Sequence, residues 1–213
     1  MLTQMTCQGW WRLVLVVSSL ALPAYRCNPP GCGSLPQSEL LNMPLLARQM
    51  NHWCWAASAE MIMQFLGGQT PRQCDMATIE TNQPDCCVQD DFDLFPDPCN
   101  NGGWPPFQYY GYTSARTHDT ALTFAEIREQ IYCKRKPVAF SWRYLDEQGK
   151  PTDTGHMCVA VGYSVDPAGD HVQIHNPSYA TVEILRYEEY VGVPGQTTHW
   201  DDFYDITKAT PAP

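Results

Sequence analysis

The sequence predicts an α+β fold in which one central helix precedes an antiparallel sheet. Apolar residues recur at helical spacing from Trp55 to Leu66, and Gly67-Gly68 ends the segment. Strand-like runs follow beyond residue 137, separated by short turns that favour antiparallel hairpins. These runs are 138–144, 156–165, 171–175 and 182–187. Helices first and strands second are typical of a two-part α+β domain with a cleft between its halves.

The first 24 residues have the layout of a signal peptide. Arg12 precedes an apolar run, small residues lie near Ala21 and Ala24, and no acidic residue is present. A membrane anchor is the alternative, but the run of about ten apolar residues is short of the ~20 that span a bilayer. We therefore expect a secreted or periplasmic protein with no stable membrane anchor after signal removal. Residues 25–47 are predicted to form an extended leader, with a first strand over Leu40–Leu46.

The predicted catalytic domain covers residues 48–208, with a short tail at 209–213. A long loop over residues 70–112 contains prolines, four cysteines and one short predicted helix, Met76–Thr81. A further helix is predicted over Thr123–Lys134 and ends before Pro137. Trp200, with neighbouring aromatic residues, is expected to anchor the end of the chain to the sheet.

The net charge of the chain limits the classes of partner that it can bind. The formal net charge is −10, and an acidic chain repels phosphate backbones. Nucleic acid is therefore excluded as a probable partner, and a protein or peptide substrate is expected. No glycine-rich phosphate loop is present and no cofactor is predicted.

Nine cysteines lie outside the predicted signal: 27, 32, 54, 74, 86, 87, 99, 133 and 158. If Cys54 is a free thiol, eight remain to pair, as suits an oxidising compartment. A local bridge between Cys27 and Cys32 is plausible, while the other pairings stay open. Zinc is the competing use of clustered cysteines, but paired C-x-x-C spacings are absent, so no metal site is predicted.

The candidate nucleophile is Cys54, in the stretch Q-M-N-H-W-C-W-A-A that opens the central helix. The unpaired N–H groups of a helix N-terminus carry a partial positive charge and lower the pKa of a thiol. Gln49 is placed to offer a side-chain N–H to an oxyanion formed at Cys54.

His156 is the candidate base, because it heads the apolar strand G-H-M-C-V-A-V-G-Y. Asn176 ends a strand one hairpin away and is expected to accept the imidazole N–H. A core histidine and a turn-forming Asn-Pro pair are the structural alternatives for these two positions. His52 is the reserve base. His118, His171 and His199 are expected in loops or on the surface, and Asp201, Asp202 and Asp205 on a solvated acidic face.

The Gln–Cys–Trp helix start and the G-H-x-x-x-x-x-G-Y strand resemble the papain-like cysteine proteases. The resemblance is closest to compact bacterial families: bacteriocin-leader peptidase domains and the secreted effectors of plant-associated bacteria. The cysteine-rich region 74–99 and the H-W-D-D-F-Y-D-I tail from His199 extend it. It implies an endopeptidase that uses a Cys54–His156–Asn176 triad and a Gln49 oxyanion hole.

Two other functions fit the same residues. The Cys–His pair would also serve an acyltransferase or amidase of the transglutaminase kind. Without an activated thiol, the chain would instead be a disulfide-stapled binding module.

Overall fold

A computed structural model describes residues 32–68, 70–88 and 97–209. Cys27 and the predicted signal peptide lie outside these residues. The helices are α1 (Cys54–Phe65), α2 (Gln73–Thr81), α3 (Phe124–Arg128), which continues as a π-helical turn (Glu129–Cys133), and α4 (Tyr187–Val191). The strands are β1 (Ser38–Leu40), β2 (Tyr112–Arg116), β3 (Val138–Leu145), β4 (Pro151–Asp166), β5 (Gly169–Asn176), β6 (Thr181–Arg186) and β7 (Thr197–Lys208).

The seven strands form one antiparallel sheet in the order β2-β7-β3-β4-β5-β6, with β1 paired to β4. The predicted α+β class is confirmed, and so are the four predicted strands. Two strands and one helix were missed. Strand β2 is short and largely polar, and β7 contains three aspartates, so neither has the apolar alternation that identifies a strand.

The central helix α1 packs on one face of the sheet. Nine of its twelve residues are buried, which matches the apolar period that predicted it. Alternate residues of β4 point to opposite faces. Met157 and Val159 pack with α1, whereas Cys158 and Ala160 pack with α3 and α4 on the other face. The strand β4 therefore lies between two hydrophobic clusters and holds its N-terminal part rigidly beside α1.

Three predictions are wrong; they concern the first strand, two aspartates and the cysteine pairing. The first strand covers Ser38–Leu40 rather than Leu40–Leu46. Asp201 and Asp202 are buried, with exposed fractions of 1% and 0%, so they form no solvated face. Cys158 is a free buried thiol, so the eight cysteines other than Cys54 do not all pair.

Disulfides fasten the long loop, as expected. The bridges Cys74–Cys87 and Cys86–Cys99 each span 13 residues. Cys32 and Cys133 are also disulfide-bonded. Disulfides persist in oxidising compartments. None of the helices in the described ranges has the length and apolar character needed to cross a membrane.

Candidate active site

A cleft of about 830 Å³ opens at the N-terminus of α1, where the helix meets β3 and β4. Cys54 and His156 both line it. Its walls are otherwise aromatic and polar; they include Trp55, Trp104, Trp200, Tyr144, Arg48, Asn51, His52, Glu80, Asp153 and the glycines at 102, 103 and 155.

Cys54 is the first residue of α1, and its thiol faces several N–H donors. The main-chain N–H of Met157 donates to Sγ of Cys54 over 3.4 Å. The main-chain N–H groups of Trp55 and of Cys54 itself also act on the sulfur. The helix N-cap, Trp53, makes no side-chain capping bond, and the first turn contains no acidic residue. The positive end of α1 is therefore left to the sulfur and to whatever binds beside it.

His156 and Asn176 are hydrogen-bonded to each other. Nε2 of His156 donates to Oδ1 of Asn176 over 2.8 Å, because an amide oxygen can only accept. The hydroxyl Oγ of Ser178 lies 3.4 Å from the same nitrogen. This pairing selects the tautomer in which Nδ1 of His156 carries no proton, and that nitrogen is left to accept one.

Burial dominates the electrostatics of the thiol and the imidazole. It raises the pKa of Cys54, while the Met157 N–H and the Arg48 guanidinium act in the opposite direction. It also lowers the pKa of His156, against the hydrogen bond to Asn176 and the charge of Glu183. Both shifts favour the neutral thiol–imidazole pair. Desolvation is the largest influence on the thiol, so the pKa of Cys54 is raised rather than lowered as the helix N-terminus alone predicts.

The loop after Cys99 is fastened to the segment that carries the nucleophile. The indole Nε1 of Trp53 donates to the Cys99 carbonyl over 2.7 Å, and that of Trp55 donates to the Asn101 carbonyl over 3.1 Å. The His52 N–H donates to Oδ1 of Asn100 over 3.0 Å. We call residues 99–101 the collar, since they fix both tryptophans that flank Cys54.

Gln49 lies outside the cleft. Its side chain is exposed and is absent from the cleft lining, while its main-chain N–H donates to Oε1 of Gln73 over 2.8 Å. The adjacent Arg48 lines the cleft instead, and its charge acts on both Cys54 and His156. The N–H of Arg48 donates to the Pro177 carbonyl over 2.8 Å, next to Asn176. Of these two neighbouring residues, Arg48 lines the cleft and Gln49 does not.

The other histidines have varied environments. His52 is exposed and lines the cleft, as the reserve base would. His175 is buried, with Nδ1 donating to the Pro44 carbonyl over 3.1 Å. His118 is exposed. His171 and His199 lie in strands, and His199 is buried, with Nε2 3.0 Å from Asp202 Oδ1. Placing His199 in a loop or on the surface was therefore wrong, whereas His171 lies in the strand that was predicted over 171–175.

One group among the described residues has the spacing of a metal site: Cys74, Asp75 and Cys87. Both of its sulfurs are joined in a disulfide, so neither is a free thiolate ligand. No metal is assigned to this group.

A cysteine that opens a helix, with a His–Asn pair on the antiparallel sheet beside it, is the arrangement of the papain-like cysteine peptidases. The chain belongs to the Peptidase_C39 like family, whose model matches residues 40–192.

One similar solved structure is that of digestive procathepsin L 3 of the Tenebrio molitor larval midgut. It is 12% identical, with a TM-score of 0.47, over 84% of this chain and 71% of that chain. A search of curated proteins finds no significant match.

Proposed function

We propose that the protein is an exported endopeptidase that cleaves peptide bonds through Cys54, His156 and Asn176. The observation that carries the proposal is the hydrogen bond between Nε2 of His156 and Oδ1 of Asn176, on the strand whose next residue contacts Sγ of Cys54. A base oriented by a third group, beside a nucleophile, is the minimum set for acyl transfer.

The reaction begins from the neutral pair. Nδ1 of His156 takes the thiol proton as Sγ of Cys54 attacks the peptide carbonyl carbon. The tetrahedral intermediate collapses when the imidazolium returns that proton to the amine, which leaves and gives a thioester. Water, deprotonated by His156, attacks the thioester and releases the acid and the thiol. Asn176 holds the imidazole in the required tautomer throughout.

The oxyanion needs donors that point into the cleft. The main-chain N–H of Cys54 is one, because it belongs to the uncapped first turn of α1. Gln49 was the expected second donor, but its side chain is outside the cleft lining. We assign that role to the guanidinium of Arg48, which lines the cleft and carries a full positive charge at any physiological pH.

The location is proposed from the disulfides. At least two bridges fasten the loop beside the cleft, and such bonds persist outside the reducing cytosol. We propose that the protein works in the periplasm or outside the cell, after removal of residues 1–24.

Peptide-library digestion with mass spectrometry tests the proposal. The oxidised protein should cut internal peptide bonds, and Cys54→Ala should abolish cutting, while Cys158→Ala, at the buried second thiol, should leave it unchanged. Added primary amine separates the alternatives: an amide product that replaces the acid would identify an acyltransferase. Absence of any Cys54-dependent product would favour a binding module.

A further inference from the structure

A carboxylate accepts a hydrogen bond from the side-chain amide nitrogen of Asn176, the end of the amide that does not contact His156. Nδ2 of Asn176 donates to Oε1 of Glu183 over 2.8 Å, and the hydroxyl of Thr181 donates to the same oxygen over 2.9 Å. Oδ1 of Asn176 accepts from His156 and from the main-chain N–H of Ser178, at 2.8 and 3.0 Å. The amide therefore has two donors at its oxygen and one acceptor at its nitrogen.

Strand pairing brings this carboxylate to the amide. Asn176 lies directly opposite Thr181 in the β5–β6 register. Glu183 comes two residues later on β6, so its side chain is on the same face and reaches the diagonal neighbour. An ionised carboxylate can only accept, which excludes the flipped amide, because that would direct Oδ1 at Glu183.

From this geometry we infer that Glu183 is a positioning residue for the reaction: it fixes the amide of Asn176 so that Oδ1 faces His156, and its charge favours the imidazolium. The inference rests on the proposed roles of Cys54, His156 and Asn176. Sequence motifs gave no indication of it, because Glu183 lies outside the G-H-x-x-x-x-x-G-Y and Asn-Pro patterns.

Glu183 is one of the charged groups that affect the pKa of His156. Burial and the guanidinium of Arg48 both lower the pKa of His156, while Asn176 and Glu183 raise it. Cys54 and His156 line the same cleft. The charge of Glu183 favours the protonated form of His156.

The test compares Glu183→Gln with Glu183→Ala. The glutamine keeps an acceptor oxygen and the volume but loses the charge, whereas alanine loses both. Glu188→Gln, an exposed carboxylate in α4 just beyond β6, is the matched control. The readouts are the pKa and tautomer of His156 by NMR, assigned with His156→Ala, and the rate of iodoacetamide labelling of Cys54 at pH 6.

We expect Glu183→Gln to lower the pKa of His156 by about one unit and the labelling rate by up to about tenfold, since one unit is tenfold in population. Glu183→Ala should also lose the preference for the Nε2–H tautomer, and Glu188→Gln should match wild type. In an Asn176→Ala background the tautomer effect of Glu183→Ala should vanish, because coupled positions are not additive.

The inference is overturned if both Glu183 variants keep the wild-type titration and tautomer of His156, or if the tautomer effect persists without Asn176. Neither readout uses peptide hydrolysis. A wild-type protein that cuts no peptide but shows these responses would refute the endopeptidase proposal and leave the role of Glu183 intact.

Discussion

The main-chain N–H of Met157 lies 3.4 Å from Sγ of Cys54, so two residues 103 positions apart meet where α1 begins and β4 enters the core. Met157 is 2% exposed and packs in the same cluster as α1. This contact fixes the position of β4 relative to the N-terminus of α1. His156, the preceding residue, is thereby held at the rim of the cleft rather than in the core.

The pH dependence of thiol reactivity follows from burial. Iodoacetamide labelling of Cys54 in the substrate-free protein should rise with pH through a midpoint above the ordinary thiol value of 9.0, because burial raises the pKa. The pKa of His156 is lowered, so the imidazole is neutral at pH 7 and cannot hold a permanent thiolate partner. Stopped-flow labelling across pH 5–10 measures the midpoint. A midpoint below 7 would contradict this account and establish a resting ion pair.

Substitution of Arg48 separates the two candidate oxyanion donors. Arg48→Met should lower kcat/KM by about 10²-fold, the usual cost of one oxyanion donor, while Gln49→Ala should change it by less than about threefold. Arg48→Met should also raise the pKa of both Cys54 and His156, because the guanidinium lowers both. Arg48→Lys keeps the charge and should recover part of the rate. If Gln49→Ala is the more damaging variant, Gln49 turns into the cleft when substrate binds.

Much of the fold could be predicted from the sequence because its main elements have clean periods. The helix from Cys54 and the strand β4 bury continuous apolar stretches. Cys54 opens the helix, and His156 directly precedes the buried stretch of β4 rather than heading the strand. Short turns between β3, β4 and β5 then required antiparallel pairing. The predicted elements therefore place Cys54 and His156 near each other, so a cleft between the helix and the sheet could be predicted.

The remainder depends on contacts that sequence spacing does not encode. Whether the side chain of Arg48 or that of Gln49 lines the cleft depends on the backbone conformation of one turn. Glu183 reaches Asn176 through the β5–β6 register, and no motif records that pairing. Strand β7 was missed because burying Asp202 requires partners from two other segments, which local patterns do not reveal.

The two loop disulfides should differ in their effect on activity. Each spans 13 residues, so removing either should cost about 3 kcal/mol of stability in the loop-entropy model. Cys86–Cys99 ends at the collar, whose Cys99 carbonyl accepts from Trp53 beside the nucleophile. We expect the Cys86→Ala, Cys99→Ala double variant to lose activity even at temperatures below its unfolding transition, where it is still folded.

Cys74–Cys87 is the matched control for that experiment. Its removal should lower the melting temperature by a similar amount while preserving kcat/KM at temperatures where the protein is folded. Calorimetry and peptide hydrolysis on the same samples give both numbers. Equal losses of activity in the two double variants would mean that the collar does not position Cys54.

Removing the carboxylate of Asp202 should destabilise the fold without reaching the cleft. Asp202 is fully buried; Oδ2 accepts from the Leu122 N–H over 2.6 Å, and Oδ1 accepts from the Tyr190 hydroxyl over 2.5 Å. His199 lies 3.0 Å from Oδ1. Asp202→Ala leaves these buried donors without their shared acceptor, at a cost of about 1–3 kcal/mol for each group left unsatisfied.

Chemical denaturation measures that loss. Asp205→Asn is the control, because Asp205 is partly exposed and pairs with Lys134, while Asn tolerates its φ of 52° and still accepts from Gln130. The control should cost about 1 kcal/mol or less. Asp202 is absent from the cleft lining, so at temperatures where the variant is folded Cys54 labelling should match wild type. Similar small losses for both variants would mean that the Asp202 cluster contributes no more to stability than a surface ion pair does.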